Sequence, residues 1–401
     1  MENTSGSPSR SAGEARAHAA VSCLAFVGLG LAVAALGPAL PFLARSTGSS
    51  LAVISNLFIA QNVAYMLGSY FGGRLYDRLR GTRLMAAALL LFIPLLALVP
   101  LSRALAMLLP IIALLGFVQG VIDVGGNVLM LRTPAEGRSV RLNALHLFFG
   151  VGAFLAPLIM AQAVRWSGGI SWGYWALAAL SLPAGLWMLR LPGGPRPHAA
   201  AASGGGAFQP WQVALVAGFI FLAVAAEAGF GSWIYTYALT RKLAGTIGAA
   251  YLTSVFWGSF AAGRLASTLL SLRWKPRRLI LASLAGCLAA ASALLAWPRQ
   301  PYVAWIVAAA FGLFIGPLFA NAFTLARETM DISGRITGII LAGMSLGGMF
   351  LPWLIGQLFE PLGPVVMPAA LLLDVVAAAG LMALFLLLTR RRGEATAARP
   401  R

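Results

Sequence analysis

Apolar runs of 18 residues or more recur along the whole 401-residue chain, and each is long enough to cross a bilayer core of about 30 Å as a helix. In lipid every backbone N–H and C=O needs a partner within the protein, which leaves helices and closed barrels. Runs of this length are helical. Charged residues make up 10% of the chain and hydrophobic residues 60%, against about 25% charged in a soluble globular domain. The formal net charge of +18 does not point to nucleic acid. The basic residues fall between the apolar runs, as in loops flanking membrane helices, and no solvated domain offers a nucleic-acid face. Cys23 and Cys287 lie inside predicted spans, far apart in sequence, and read as buried free thiols.

Twelve spans are predicted, near 20–44, 51–73, 83–102, 105–131, 143–164, 171–190, 211–239, 246–271, 278–297, 302–326, 335–358 and 365–389. The first apolar run reaches Leu43 with no A-x-A site after it, so it reads as a membrane helix and not as a signal peptide. The Pro, Gly and Ser content of LPGGPRPHAAAASGGGAFQP marks a linker. The expected organisation is a tail at 1–19, a six-helix bundle at 20–191, a linker at 192–209, a second six-helix bundle at 210–389 and a basic tail at 390–401. With the first residue placed inside and the loops alternating, 23 of the 29 Lys and Arg fall on one side and six on the other. That asymmetry puts both termini in the cytoplasm. The halves also repeat. Gly73-Arg74-Leu75 answers Gly263-Arg264-Leu265, Gly116 and Gly120 answer Gly312 and Gly316, and Gly152 and Pro157 answer Gly347 and Pro352. A duplicated six-helix unit with a site near the bilayer midplane is a transporter architecture, an all-α membrane fold in two pseudo-symmetric halves.

Three acids lie well inside spans: Asp123, Glu227 and Asp374; no Lys or Arg lies in the middle of one. An ionised acid at the bilayer centre costs about 2.5–3.5 kcal/mol on insertion scales. Without a basic partner it must carry a proton, or face water and bind a cation or a sugar hydroxyl. Gln119, Asp123 and Asn127 form an i, i+4, i+8 stripe on one helix face. Carboxylate and amide together match the donors and acceptors of a sugar. The stripe also reads as interhelical glue, more so for Gln119. Gly120, Gly125 and Gly126 leave room there for a neighbouring helix or a ligand. Glu227 opens EAGFGSWIYTYAL, where Gly229 and Gly231 offer places to break or bend the helix. Trp233, Tyr235 and Tyr237 follow, suited either to stacking on sugar rings or to an interfacial belt. Asp374 reads as structural or as snorkelling toward the lipid interface. Asn62 with Tyr65, Asn143 with His146, Thr253 with Trp257, and Asn321 line a cavity or pack between helices. Of these, His146 is expected to bond to a loop.

Twelve spans and the loop Gly73-Arg74-Leu75-Tyr76-Asp77-Arg78 resemble the major facilitator superfamily. The resemblance implies that Gly73, Asp77, Arg78 and Arg83 form a latch on the cytoplasmic side in the outward-open state. Gly73 would allow close helix approach, and Asp77 would sit at a helix N-terminus. One extra residue separates Asp77 from Gly81, and the second copy after Arg264 has no acid. A plain topogenic basic loop is the alternative. GVIDVGGNV followed by RLNALHLFFGVGAFLAPL resembles the fucose permease group. EAGFGSWIYTYAL and AAYLTSVFWGSFAAGRL are similar, closer still, to its sodium-dependent glucose transporter-like branch. The resemblance implies a secondary transporter of a monosaccharide or similar small solute, coupled to H⁺ or Na⁺ and working by alternating access. Asp123, Asn127, Gln119, Asn62, Tyr65, Trp257, Asn321 and Tyr235 would bind substrate, and Glu227 or Asp123 the coupling cation. Span 1 lacks the acid that fucose permease carries there.

No H-E-x-x-H, G-x-S-x-G or P-loop is present, and the three His and two Cys do not cluster. No enzyme, cofactor or metal centre is expected. An exporter of drugs or amphiphiles is the alternative, although Ala156-Pro157-Leu158-Ile159-Met160 lacks the Gly-Pro and Gly-Gly pattern usual in span 5 of such antiporters. A non-transporting membrane sensor is a third reading. Short loops point to a bacterial inner membrane, and nothing marks an oligomer interface, so a monomer is expected.

Overall fold

A computed structural model describes residues 8–131, 138–191, 210–330 and 334–397, and every regular element in them is helical. The linker expected at 192–209, the loop residue Arg132, the first seven residues and the last four lie outside the described residues. In the first half the elements are α1 (Pro8–Thr47), α2 (Leu51–Ile54), α3 (Asn56–Arg78), α4 (Gly81–Leu98), α5 (Leu105–Leu131), α6 (Arg138–Ser167) and α7 (Ser171–Arg190), with a 3-10 turn at Val99–Leu101. In the second they are α8 (Pro210–Thr240), α9 (Thr246–Leu270), α10 (Pro276–Ala296), α11 (Pro301–Ile315), α12 (Leu318–Thr329), α13 (Gly334–Leu362) and α14 (Val366–Ala397).

Among the described residues, ten helical segments are both long and apolar enough to cross a membrane. α7 and α9 complete the twelve by length. Their 20 and 25 residues reach about 30 Å and 37 Å at 1.5 Å per residue, while their Trp, Tyr, Gly, Ser and Thr lower the hydropathy. Two expected single spans are each made of two helices. Span 2 is α2 followed by α3. Span 10 breaks at Gly316-Pro317, because Pro317 has no N–H to continue α11. Prolines inside α1, α4, α5, α6, α7 and α13 do not break them, as is usual where neighbouring membrane helices re-satisfy the backbone. Gly48, just past the last residue of α1, has φ +63° and turns the chain in a conformation that a side chain would strain.

The helices gather into two compact units, residues 1–48 with 63–200 and residues 49–62 with 201–401. In the first, α1 packs on α6 and α4 on α7; in the second, α8 packs on α13 and α9 on α11. Glycines make these pairings possible, because in a membrane close backbone approach replaces hydrophobic driving force. A Cβ on Gly152 of α6 would run into the Val27 carbonyl of α1, and one on Gly120 of α5 into the Tyr65 carbonyl of α3. In the second unit, Gly347 of α13 meets the Phe221 carbonyl of α8, and Gly316, the counterpart of Gly120, meets the Phe260 carbonyl of α9. The glycine repeat read from the sequence thus marks equivalent helix crossings.

Residues 49–62 pack with the second unit, although the sequence division puts them in the first. Glu360 Oε1 of α13 accepts from the Leu51 N–H at 2.8 Å, Gln357 Nε2 donates to the Ala52 carbonyl at 2.8 Å, and Trp353 Nε1 donates to Asn56 Oδ1 at 3.1 Å. Two exposed pairs, Trp166 with Trp172 and Trp297 with Tyr302, stand at helix ends, where amphipathic rings anchor a protein at the interface.

Candidate functional site

In the first unit the site is built on α5. Asp123 lies eight residues from Leu131, the last residue of that helix, or about 12 Å along its axis. Tyr65 of α3 donates its hydroxyl to Asp123 Oδ2 at 2.6 Å, the short distance of a charge-assisted bond. Asn127 Nδ2, one turn along, donates to the Asp123 carbonyl at 3.0 Å and to Asp123 Oδ1 at 3.3 Å. All three side chains are half-buried. A carboxylate offers about four lone-pair sites. Tyr65 and Asn127 occupy two, so Asp123 keeps acceptors for a hydroxyl or a cation. Gln119, the third member of the stripe, is buried. The glycines beside the stripe serve the protein itself: Gly125 is filled by Tyr76 and Met85, and Gly126 by Phe26.

In the second unit Glu227 lies 13 residues from Thr240, near the middle of the 31-residue α8. The structure places an arginine within a helix of this unit. Arg264, counted with the loops, lies inside α9, six residues before Leu270. Glu227 and Arg264 are both partly exposed. Arg264 is tethered. Its Nε donates to the Gly316 carbonyl at 3.3 Å, and its guanidinium lies 4.4 Å from the Phe260 ring centroid. Gly316 caps α11, whose last carbonyls lack helical partners and favour a cation. Next to Phe260 stands Trp257, edge-on at 5.4 Å, and Phe230 stacks between Phe256 and Phe311.

Several residues expected at the site are engaged elsewhere. Asn62 and Tyr65, expected on one helix face, have different partners: Asn62 Nδ2 donates to the Phe58 carbonyl at 3.0 Å and to the Gly348 carbonyl at 3.5 Å, while Tyr65 donates to Asp123. Asn321 is buried, with Nδ2 donating to Ser267 Oγ and to the Pro317 carbonyl, both at 2.8 Å. Trp257 packs against Gly231 and is buried, as is Thr253, whose hydroxyl donates to the Ala249 carbonyl. Trp233, Tyr235 and Tyr237 are fully buried, which excludes the interfacial belt for them; Trp233 Nε1 donates to the Pro352 carbonyl at 2.8 Å. Gly229 and Gly231 do not break α8, which runs unbroken, and they admit Leu351 and Trp257. Asp374 is 7% exposed, so it does not snorkel; its Oδ2 has no hydrogen-bond partner among the described residues. His146 meets Phe26 edge-on at 5.9 Å, and Asn143 is exposed.

At the expected latch, Asp77, Arg78 and Arg83 are exposed. A Cβ on Gly73 would come no closer than 4.0 Å to Val124, whereas one on Gly72 would come within 3.2 Å of the Val121 backbone and one on Gly68 would hit the Phe117 carbonyl. The close approach therefore falls one residue and one turn earlier than Gly73.

With this geometry in place the chain can be set beside known proteins. The family model described as Major Facilitator Superfamily matches residues 22–352. The chain belongs to the major facilitator superfamily. It is 27% identical over 400 residues to sodium-dependent glucose transporter 1 of Xenopus laevis, covering 91% of this chain and 81% of the relative. To human major facilitator superfamily domain-containing protein 4A it is 24% identical, covering 84% of this chain and 85% of that one. Among solved structures it matches the nucleoside transporter NupG with a TM-score of 0.73 at 13% identity, over 92% of this chain and 99% of the other. A bacterial homologue of the human lysosomal transporter Spinster, inward-facing and occupied, matches with a TM-score of 0.73 at 15% identity, over 96% and 98%. At these identities the two structures show the fold of this superfamily member and nothing finer.

Proposed function

We propose that this superfamily member is a secondary active transporter of a monosaccharide or similar polyhydroxylated solute, driven by Na⁺. The observation that carries the reading is the half-buried Tyr65–Asp123–Asn127 cluster, a carboxylate held by neutral donors with acceptor sites left over. A sugar hydroxyl is both donor and acceptor and matches that cluster. The second unit carries Glu227, the acid near the middle of α8, for the cation. The choice of Na⁺ over H⁺ follows the sodium-dependent glucose transporters among the relatives. Both chain ends lie on the basic side of the membrane, which is the cytoplasmic one.

The test is accumulation of labelled monosaccharides in proteoliposomes, with and without an inward Na⁺ gradient, alongside the external pH of a lightly buffered suspension. The wild type is expected to concentrate a sugar only with Na⁺, and Asp123→Asn to lose that accumulation. Sugar-triggered alkalinisation without any Na⁺ requirement would replace Na⁺ by H⁺. Silence with every sugar, from protein shown to be folded, sinks the sugar reading and favours an exporter.

A further inference from the structure

The turn between α9 and α10 has no task in the scheme above. It brings Arg273, Lys275, Arg277 and Arg278 together within six residues, and no Asp or Glu occurs in the sequence between Glu227 and Glu328. All four cationic side chains are exposed. The backbone holds them in place. The N–H groups of Ser271, Leu272, Arg273 and Trp274 donate to carbonyls of the last turn of α9 at 2.8–3.3 Å, and the Lys275 carbonyl accepts from Arg278 at 2.9 Å as α10 begins. The charges are thus presented from a short bonded turn, not from a free tail. Apolar groups stand among them: Leu269, Leu272 and Trp274 are exposed, Leu272 at 82%. In water such exposure only forfeits burial. At the headgroup level of a bilayer it does not, because indole settles there and arginine stems lie along apolar surface with their charge at the polar rim. The matching turn of the first unit, between α3 and α4, sets Asp77 among Arg78, Arg80 and Arg83 and has no tryptophan.

We propose that the α9–α10 turn is a binding surface for anionic phospholipid. The four cations take the phosphodiester headgroups, and Leu269, Leu272 and Trp274 enter the boundary where the acyl chains begin. Charge complementarity carries the assignment. Neither the turn nor the two helices it joins holds an acid, so nothing within them offsets the four charges. An anionic leaflet does, at about fivefold in affinity for each Lys or Arg near its surface. A zwitterionic headgroup, with an amine beside its phosphate, offers no net charge in return. The general excess of basic residues on this side of the membrane accounts for the sign of the charge. It does not account for four cations at this density, for the missing acid or for the exposed leucines and indole. Lipid held here pins the basic ends of α9 and α10 to the leaflet, whereas Asp77 weakens any such hold on the first unit.

The experiment titrates the delipidated full chain in detergent with phosphatidylglycerol or phosphatidylcholine of identical acyl chains. Bound lipid is counted by native mass spectrometry, and size-exclusion chromatography shows that each variant is folded. The wild type is expected to hold phosphatidylglycerol at least about 25-fold more tightly than phosphatidylcholine, and to lose that difference at high salt as the charges are screened. Arg277→Gln with Arg278→Gln is expected to lower the preference about 25-fold, or about fivefold per charge. Arg277→Lys with Arg278→Lys keeps the charge and is expected to stay within about twofold of wild type. Arg78→Gln with Arg80→Gln removes the same charge from the first-unit turn and is expected to keep the wild-type preference. Equal losses in the two Gln pairs would trace the preference to net charge and overturn the proposal. Equal binding of the two lipids by the wild type also overturns it and leaves the turn to an acidic protein. If millimolar inorganic phosphate displaces phosphatidylglycerol completely, the turn is a simple anion site and the lipid assignment falls. Should the Arg277 and Arg278 pair fail to fold as Gln, Trp274→Ser carries the test. It is expected to weaken phosphatidylglycerol binding while leaving its salt dependence, and an unchanged affinity counts against the proposal.

Discussion

The two six-helix units share their crossings and differ in their charges. In each, a glycine of the fifth helix receives a carbonyl of the first, Gly152 against Val27 and Gly347 against Phe221. Counted from those contacts, Val33 stands in the first unit where Glu227 stands in the second. Counted from Gly120 and Gly316, Phe319 stands in the second unit where Asp123 stands in the first. Asp123 is held by the neutral hydroxyl of Tyr65 and the amide of Asn127, while the second unit has its arginine, Arg264, within α9, on the Gly316 carbonyl and the Phe260 ring. Backbone approach tolerates no side chain at a crossing, so the glycines cannot drift apart between the copies. A lining position tolerates many residues, so the chemistry can. An acid satisfied by neutral donors keeps its charge available to a ligand.

The comparison breaks most visibly at the crossings. Gly152→Val and Gly347→Val each force a side chain into a backbone carbonyl that has no rotamer to yield with. Each is expected to cost about 3 kcal/mol, the upper end for overpacking. The measurement is recovery of monodisperse protein in detergent and its unfolding temperature. If one variant is tolerated and the other is not, the two crossings are not equivalent.

A smaller effect separates the two acids. Tyr65→Phe removes a donor to a charged group, about 1.5–3 kcal/mol, and is expected to raise the apparent KM for sugar at least about tenfold while leaving the Na⁺ dependence in place. Glu227→Gln is expected to do the reverse: sugar exchange persists and Na⁺ stimulation disappears. A shift of both parameters in both variants would merge the two sites into one.

The smallest effect belongs to Asp374, a buried acid with an orphaned oxygen and no place in either cluster. Asp374→Leu removes an unsatisfied polar group and is expected to stabilise the protein by about 1 kcal/mol with transport unchanged. A loss of transport would give Asp374 a role that its surroundings do not explain.

Much of this was legible in the sequence because lipid allows so few choices. α5 and α7 fall where the apolar runs put them, at 105–131 and 171–190, and the glycine repeat anticipated the crossings. Asp123 and Asn127 were found because a four-residue spacing on a helix is itself geometry. Their partner Tyr65 was legible only as a cavity-lining candidate, since its link to Asp123 spans 58 residues and depends on the packing of α3 against α5. Arg264 was missed for a physical reason. Counting basic residues by side of the membrane assigns every arginine to a loop, yet a long flexible stem lets the charge sit well away from its Cα. No local pattern reveals that it is moored on the Gly316 carbonyl, 52 residues away. The buried aromatics after Glu227 escaped for a similar reason: a ring near a helix end suits a belt, a ligand or a core, and only the neighbouring helices decide.

The break at Gly316-Pro317 also bears on Arg264. Arg264 is moored to the Gly316 carbonyl at that joint, while Glu227 rides on the unbroken α8. The joint that divides span 10 is therefore also where the arginine of α9 is made fast, so an interruption in one helix sets the place of a charge on its neighbour.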